Sequence, residues 1–355
     1  MSNNQLDEQI IQNKELNIWE ALIPVIVLVG LLAFNVSVFG DNALSGSNQF
    51  ILLLGGAVAA IVGFFNKVSY DTMIEEIGNN FKSTAGALLI LLMVGALAAA
   101  WLISGIIPAM VYYGLQILNP TIFFPATVII CAIISIATGS SWTTSATVGI
   151  ALVGIGTALG LSPGMTAGAV ISGAYFGDKM SPLSDTTNLA PAMAGAELFD
   201  HIKYMALTTI PSIVITLIIF TILGLAQTTT GTADNTVILS AIDTAFNING
   251  WLFLVPIMVI GLIIKKTKPL IALLAGTLLG AVFALVFQPD IVLSVSGAET
   301  LTGVSGYKGV MTALTEGASI ATTNESLNDL FSSGGMAGML GTIWLIVCAL
   351  VFGGI

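Results

Sequence analysis

The chain has 355 residues, of which 56% are hydrophobic and only 8% are charged, and its formal net charge is -10. A soluble domain carries about 25% charged residues and must present a hydrated surface, so this composition excludes a soluble globular protein and favours one that faces lipid. All nine basic residues are lysines, so no guanidinium is available for bidentate binding of phosphate or another anion.

Ten apolar segments are candidates to cross a membrane, for which about 20 residues are needed. They are 19–39, 49–66, 84–107, 121–138, 143–161, 164–199, 204–226, 251–264, 269–288 and 334–355. Residues 1–18 are polar and acidic and lack the basic start of a secretory signal, so they predict a cytoplasmic N-terminal tail. Segments 70–83 and 306–330 are predicted to be amphipathic or polar connections. The predicted fold is an all-α polytopic membrane protein.

Two of these segments are not plain helices. The segment 164–199 is too long and too polar in its middle, which predicts a broken helix with halves at about 164–176 and 186–198 around an unwound centre. Residues 121–161 fit either two full spans or a re-entrant hairpin, and the polar run Thr138–Ser145 would form the turn in both cases.

The lysines predict the orientation, because short cytoplasmic loops are enriched in them. With the N-terminus in the cytoplasm, the lysines on that side are Lys14, Lys67, Lys82, Lys203, Lys265, Lys266 and Lys268. Loops 40–48 and 227–250 carry Asp and no Lys, which places them outside. Lys308 falls in a long outer loop, where the rule is weak. Lys179 is then the one lysine within the membrane.

Two pairs of segments resemble each other. Trp and Pro recur at identical spacing in 19–32 and 251–264, and Asn, Ser and Gly recur in 79–86 and 328–335. Because the first copy starts from the cytoplasm and the second from outside, the pattern predicts an inverted-topology repeat, as in many secondary transporters. The predicted domains are the tail 1–18, a first repeat 19–230, an external linker 231–250 and a partial second repeat 251–355. Counterparts of residues 107–230 are missing, so we expect the second repeat to be truncated.

Charged and polar side chains cluster in the middle of 164–199. A charge within a span costs about 2.5–3.5 kcal/mol of insertion free energy. The presence of Asp178, Lys179 and Asp185 in this segment therefore indicates a function. Carboxylates and hydroxyls are hard oxygen ligands that suit Na⁺, which makes Asp178 the first candidate for Na⁺ binding and Asp185 the second. Neutral oxygens come from Ser181, Ser184, Thr186, Thr187 and Asn188, and all of these except Ser181 are candidate ligands. Lys179 is a candidate tethered cation, and the alternative is a static Asp–Lys pair that holds the broken helix together.

The polar turn supplies a second set of candidates, which are Ser140, Ser141, Thr143 and Thr144. Hydroxyls in helices also satisfy their own backbone carbonyls, so the alternative is a tight turn between two spans. A buried carboxylate can hold a proton or help to hold Na⁺, and binding of one disfavours the other. Competition at one site, together with alternating access, predicts antiport.

These residues also resemble a known family. The run 177–191, with 172–175 before it, resembles the hallmark of the NhaC-type Na⁺/H⁺ antiporters, and so do 137–144 and 101–105. The resemblance implies inverted repeats, a re-entrant hairpin at 121–161 followed by a broken helix, and Na⁺ and H⁺ as the coupled ions. Some relatives resemble exchangers of malate for lactate, so an organic-anion antiporter coupled to Na⁺ and H⁺ is the alternative function.

The expected location is the cytoplasmic membrane of a bacterial-type cell, with several crossings. The expected partners are the lipid bilayer, Na⁺ and H⁺, with a homodimer as one candidate assembly and no nucleic acid. No nucleophile–base pair or cofactor motif is apparent in the sequence, so we expect neither an enzyme nor a cofactor beyond the transported ions.

Overall fold

The structure, a computed structural model, describes residues 17–117, 120–138, 141–182, 184, 187, 190–191, 196–226, 235–265, 267–323, 328 and 331–355. The helices in these ranges are α1 (Ile18–Phe39), α2 (Ser47–Phe65), α3 (Tyr70–Ile103), α4 (Ile106–Ile117), α5 (Pro120–Thr138), α6 (Ser141–Thr144), α7 (Ile150–Ala158), α8 (Pro163–Met180), α9 (Leu198–Ala226), α10 (Asn235–Ala245), α11 (Leu254–Ile264), α12 (Pro269–Phe287), α13 (Pro289–Ser296), α14 (Gly303–Glu316) and α15 (Leu340–Gly354). The described strands are β1 (Ala318–Ser319) and β2 (Ser332–Ser333), which pair antiparallel.

Six of the described helices, with α15 counted together with the short turn before it, are long and apolar enough to cross a membrane: α1, α2, α3, α9, α12 and α15. A seventh crossing results if Ile238–Ala245 and Gly250–Leu262, which meet at 86°, count as one span. Large apolar side chains such as Leu207, Ile215 and Leu225 project from α9 and are more than half exposed. Lipid accepts such a surface and water does not, so the chain is a multi-pass α-helical membrane protein, as the composition predicts.

The chain divides into two compact units, Met1–Leu88 with Leu340–Ile355, and Leu89–Met339. In the first unit, α2 packs against both α1 and α15. Helix α1 begins at Ile18 because the side chain of Asn17 accepts a hydrogen bond from the Trp19 N–H at 3.4 Å. Such a cap satisfies one of the backbone donors that every helix start leaves free.

The second unit contains the large apolar core, and Trp101 of α3 lies within it. The indole N–H of Trp101 donates to the Gly276 carbonyl at 3.3 Å and so ties α3 to α12. Helix α5 packs along α8 and also contacts α9. These contacts bring the C-terminal ends of α5 and α8 next to each other, as the bond from Ser181 to the Ile136 carbonyl shows.

Three helix breaks meet at one point in this unit: they follow α3, α10 and α12 and lie at Gly105, Asn247 and Gln288. Helix α3 stops before Gly105, whose φ of 80° is a left-handed value, and α12 stops before Gln288. The buried Gln288 side chain accepts from the Asn247 N–H and donates to the Asn247 carbonyl, both at 3.0 Å. A Cβ at Gly105 would contact the Gln288 side-chain nitrogen, so glycine is required there.

Several connections predicted from the sequence contain helices. Residues 70–83 belong to the continuous helix α3, α10 occupies much of the predicted external linker 231–250, and α14 lies in the predicted connection 306–330. Helix α10 is amphipathic: Ile238, Ala241 and Ile242 lie buried on one face. A short amphipathic helix has no long apolar run, so a search for spans by apolar length misses it.

Candidate functional site

The candidate site lies where α8 ends. Ser162 caps the start of α8 by accepting from the Met165 N–H at 3.4 Å, and Pro163 occupies its first turn, where proline is favoured. The predicted half-helix ends at about residue 176, whereas α8 continues to Met180. Asp178 and Lys179 therefore lie on the last helical turn, and the irregular backbone begins at Ser181.

The side chain of Asp178 contacts the polar turn that follows α5. The Ser141 hydroxyl donates to Asp178 Oδ2 at 3.0 Å, and Ser141 itself is buried. Ser141 is the first residue of α6, which continues through a π-helical turn, Ser145–Gly149, into α7. Such π-helical turns are frequent at functional sites. The structure thus brings together one residue from each of the two polar stretches that the sequence singles out.

The chain after α8 folds back onto the end of that helix. The Thr187 hydroxyl donates to the carbonyls of Asp178 at 3.0 Å and Lys179 at 3.4 Å, and the Thr187 N–H donates to Ser184 Oγ at 3.3 Å. The side chains of Ser181, Ser184 and Thr187 are all buried. The Thr187 hydroxyl therefore bonds to carbonyls at the helix end, and the neutral oxygens of Ser184 and Thr187 lie at the end of α8.

Helices α5 and α8 approach closely beside Asp178. A Cβ on Gly173 would contact the Val128 carbonyl oxygen, and a Cβ on Gly177 would lie 2.6 Å from that of Ala132. Two serines bond across this contact: Ser135 Oγ donates to Ala174 O at 2.6 Å, and Ser181 Oγ donates to Ile136 O at 2.7 Å. Sequence reasoning did not single out Ser135, because one serine in an apolar helix gives little signal.

Lys179 lies exposed on the last turn of α8. Among the described residues, the one ion pair joins Lys203 and Asp200 at 3.2 Å, and both side chains are largely exposed. Lys179 is exposed and forms no ion pair with Asp178, as expected for consecutive residues that point in different directions around a helix. The described residues thus contain no static pair between Lys179 and Asp178, and Asp185, the other predicted partner of Lys179, lies outside them.

The structure describes only some of the other predicted site residues. Thr144 is fully buried in α6. Ser140, Asp185, Thr186 and Asn188, together with the predicted half-helix 186–198 over most of its length, lie outside the described residues, as does the side chain of Thr143. The site that the structure describes thus consists of Asp178 with Ser141, framed by Thr144, Ser181, Ser184 and Thr187.

Comparison with known proteins connects this geometry to a family. The profile of the Na⁺/H⁺ antiporter family matches residues 173–355, which include the end of α8. The chain is 38% identical to the Na⁺/H⁺ antiporter NhaC of Alkalihalophilus pseudofirmus over 84% of its own length and 62% of that protein. The chain belongs to the Na⁺/H⁺ antiporter family. Its membership confirms the resemblance found in the motif 177–191.

Other proteins similar to this chain are named for different transport activities. A malate-2H⁺/Na⁺-lactate antiporter of Bacillus subtilis is 36% identical over 94% of this chain and 68% of that protein. An arginine/ornithine antiporter of Halobacterium salinarum is 33% identical over 95% of the chain and 66% of that protein. The chain thus spans about three fifths to two thirds of the length of these relatives. No solved structure matches the chain significantly.

Proposed function

We propose that the chain carries the transport site of a secondary active transporter that exchanges Na⁺ for H⁺ across the cytoplasmic membrane. In this proposal the protein is not an enzyme. The observation that carries this proposal is the position of Asp178, a carboxylate on the last turn of α8 that accepts a hydrogen bond from Ser141 of another helix. A charge among membrane-spanning segments costs free energy, and exchange of ions is a function that justifies this cost in a Na⁺/H⁺ antiporter family member.

In the proposed mechanism, Asp178 holds either Na⁺ or a proton. The ionised carboxylate and the Ser141 oxygen are hard ligands that suit Na⁺. A proton on the carboxylate removes its negative charge, and with it the main attraction for Na⁺. Since one carboxylate cannot serve both ions at once, alternating exposure of the site to the two membrane faces couples the influx of one to the efflux of the other.

Further ligands are assigned by the same chemistry. Asp185 is the second proposed carboxylate for Na⁺. Lys179 is the proposed tethered cation that competes with Na⁺ for the carboxylates. The proposed neutral ligands are Ser140, Ser141, Thr143, Thr144, Ser184, Thr186, Thr187 and Asn188. Of these, Ser141 bonds to the Asp178 carboxylate, and Thr187 bonds to the Asp178 backbone carbonyl.

The proposed architecture is an inverted repeat of 19–230 and 251–355, with 121–161 as a re-entrant hairpin. A local likeness supports the repeat: the Asn249 side chain accepts from the Trp251 N–H at 3.1 Å, as Asn17 does from Trp19. The second matched pair differs locally, since 79–86 is inside α3 whereas Ser332–Ser333 forms β2. The support therefore comes from the helix starts rather than from the whole of each repeat.

An organic-anion antiporter of the malate/lactate kind is the second candidate, favoured by the 36% identity to the Bacillus subtilis protein of that name. Here the substrate carboxylates would bind at helix N-termini and hydroxyls. Stimulation of Na⁺ flux by malate or lactate would support this candidate, and a flux indifferent to both anions would remove it.

The test is Na⁺-driven proton flux in proteoliposomes containing the purified protein. We expect Asp178→Asn, which keeps the side-chain shape and removes the charge, to abolish the flux. The matched control is Asp200→Asn, because Asp200 is 70% exposed and pairs with Lys203 on the surface, and it should transport like the wild type. If Asp178→Asn retains wild-type flux, the assignment of Asp178 is wrong.

A further inference from the structure

Two serines outside the proposed neutral ligands bond helix to helix beside Asp178. In membrane helices a serine or threonine hydroxyl commonly donates to a carbonyl of its own helix. Ser172 on α8 does so, donating to Gly168 O at 2.7 Å, and Thr157 on α7 donates to Val153 O at 2.8 Å. Ser135 on α5 donates to α8, and Ser181, the residue that follows α8, donates to α5.

The two acceptors lie next to the residues that form the site. In an α-helix the carbonyl of Ala174, the acceptor for Ser135, also receives the N–H of the residue four positions later, which is Asp178. The carbonyl of Ile136, the acceptor for Ser181, belongs to the last turns of α5, just before the chain reaches Ser141. One bond thus holds the backbone that carries Asp178, and the other holds the backbone that leads to its hydrogen-bond donor.

We infer that Ser135 and Ser181 are positioning residues that fix the Asp178 carboxylate against the Ser141 hydroxyl. This inference rests on the proposed function of Asp178. Neither serine needs to touch the ion. Gly173 and Gly177 let the two backbones approach, and the two reciprocal hydroxyl bonds then select one register of α5 against α8. A shift of that register by a fraction of an ångström changes the distance between two groups that now meet at 3.0 Å.

The test measures exchange at graded Na⁺ concentrations for Ser135→Ala, Ser181→Ala and the control Ser172→Ala. Loss of one such bond should raise the half-saturating Na⁺ concentration about 3- to 10-fold while the maximal rate stays within about two-fold of the wild type. Ser172→Ala should change neither value, because its hydroxyl serves only its own helix. Ser135→Cys, which keeps the side-chain volume and weakens the bond, provides a second reading if Ser135→Ala folds poorly.

A double-mutant cycle with Ser141→Ala separates positioning from general stability. If Ser135 acts through the Asp178–Ser141 contact, the effects on the half-saturating Na⁺ concentration are not additive, and Ser135→Ala adds little once Ser141 has lost its hydroxyl. Additive effects, or an unchanged half-saturating concentration in both Ser135 variants, would overturn the inference while Asp178→Asn still abolished exchange. Wild-type exchange by Asp178→Asn would instead overturn the proposed function, and the inference with it.

Discussion

The Ser141 hydroxyl donates to the Asp178 carboxylate at 3.0 Å although 37 positions separate the two residues. Hydrogen bonds to charged groups are worth about 1.5–3 kcal/mol, so this contact is strong enough to decide how the carboxylate is oriented. It also links the turn after α5 to the end of α8, two segments that would otherwise contribute to the site independently.

Removing that hydroxyl should weaken Na⁺ binding. Ser141→Ala deletes both a neutral oxygen ligand and the bond that orients Asp178, so we expect the half-saturating Na⁺ concentration for exchange to rise by about ten-fold or more. The control is Thr157→Val on α7, whose hydroxyl donates only to Val153 O. An unchanged Na⁺ dependence in Ser141→Ala, with normal expression, would show that Ser141 does not serve the ion.

Close packing of α5 on α8 should limit the size of residue 177. A Cβ there would lie 2.6 Å from the Ala132 carbonyl oxygen, which is closer than van der Waals contact allows, so Gly177→Ala forces the helices apart. Overpacking of this kind costs about 1–3 kcal/mol, and we expect a lower melting temperature of the detergent-solubilised protein together with reduced exchange.

The same helix offers the control for this change. A Cβ on Gly168 would meet only Phe220 Cζ at 3.7 Å, an ordinary contact, so Gly168→Ala should melt at or slightly above the wild-type temperature. Equal melting temperatures for the Gly168→Ala and Gly177→Ala variants would contradict the packing of α5 on α8 described above.

The predicted orientation can be tested by labelling in intact cells. Cysteine introduced at Asp243→Cys should react with a membrane-impermeant maleimide from outside, whereas Lys203→Cys should react only after the membrane is opened. The native Cys131 and Cys348 are buried, so they should give a low background. Labelling of both positions from outside would refute the topology derived from the lysines.

The sequence predicts spans well where a bilayer dictates their length. The segments 19–39, 49–66 and 269–288 agree with α1, α2 and α12 within two residues, because about 20 apolar residues are needed to cross. Helix α14 lies in a segment predicted only as an amphipathic or polar connection. Its buried face consists of small residues and one valine, which do not form an apolar run: Ser305, Gly306, Gly309, Val310 and Ala313.

The sequence predicts which residues belong to the candidate site, but not which of them are in contact. The cost of a charge in a span singles out Asp178, and the density of hydroxyls singles out the turn that contains Ser141. Their contact depends on how α5 packs on α8, which no local pattern encodes. Ser135 carries no signal of its own, since its importance comes from the Ala174 carbonyl that it reaches on another helix.

Gln288 provides the last test, because it joins three helix breaks. Its buried side chain makes two hydrogen bonds to the Asn247 backbone, and Gln288→Ala would remove both, at a cost of about 0.5–1.5 kcal/mol for each bond lost. We expect a clearly lower melting temperature, whereas Gln116→Ala should have little effect, because the exposed Gln116 bonds only to Tyr112 O in its own helix. If Gln288→Ala melts like the wild type, the Gln288 side chain does not hold the three helix breaks together.

Gln288→Glu refines the test. Its carboxylate still accepts from the Asn247 N–H but cannot donate to the Asn247 carbonyl, so the melting temperature of this variant should also fall below that of the wild type.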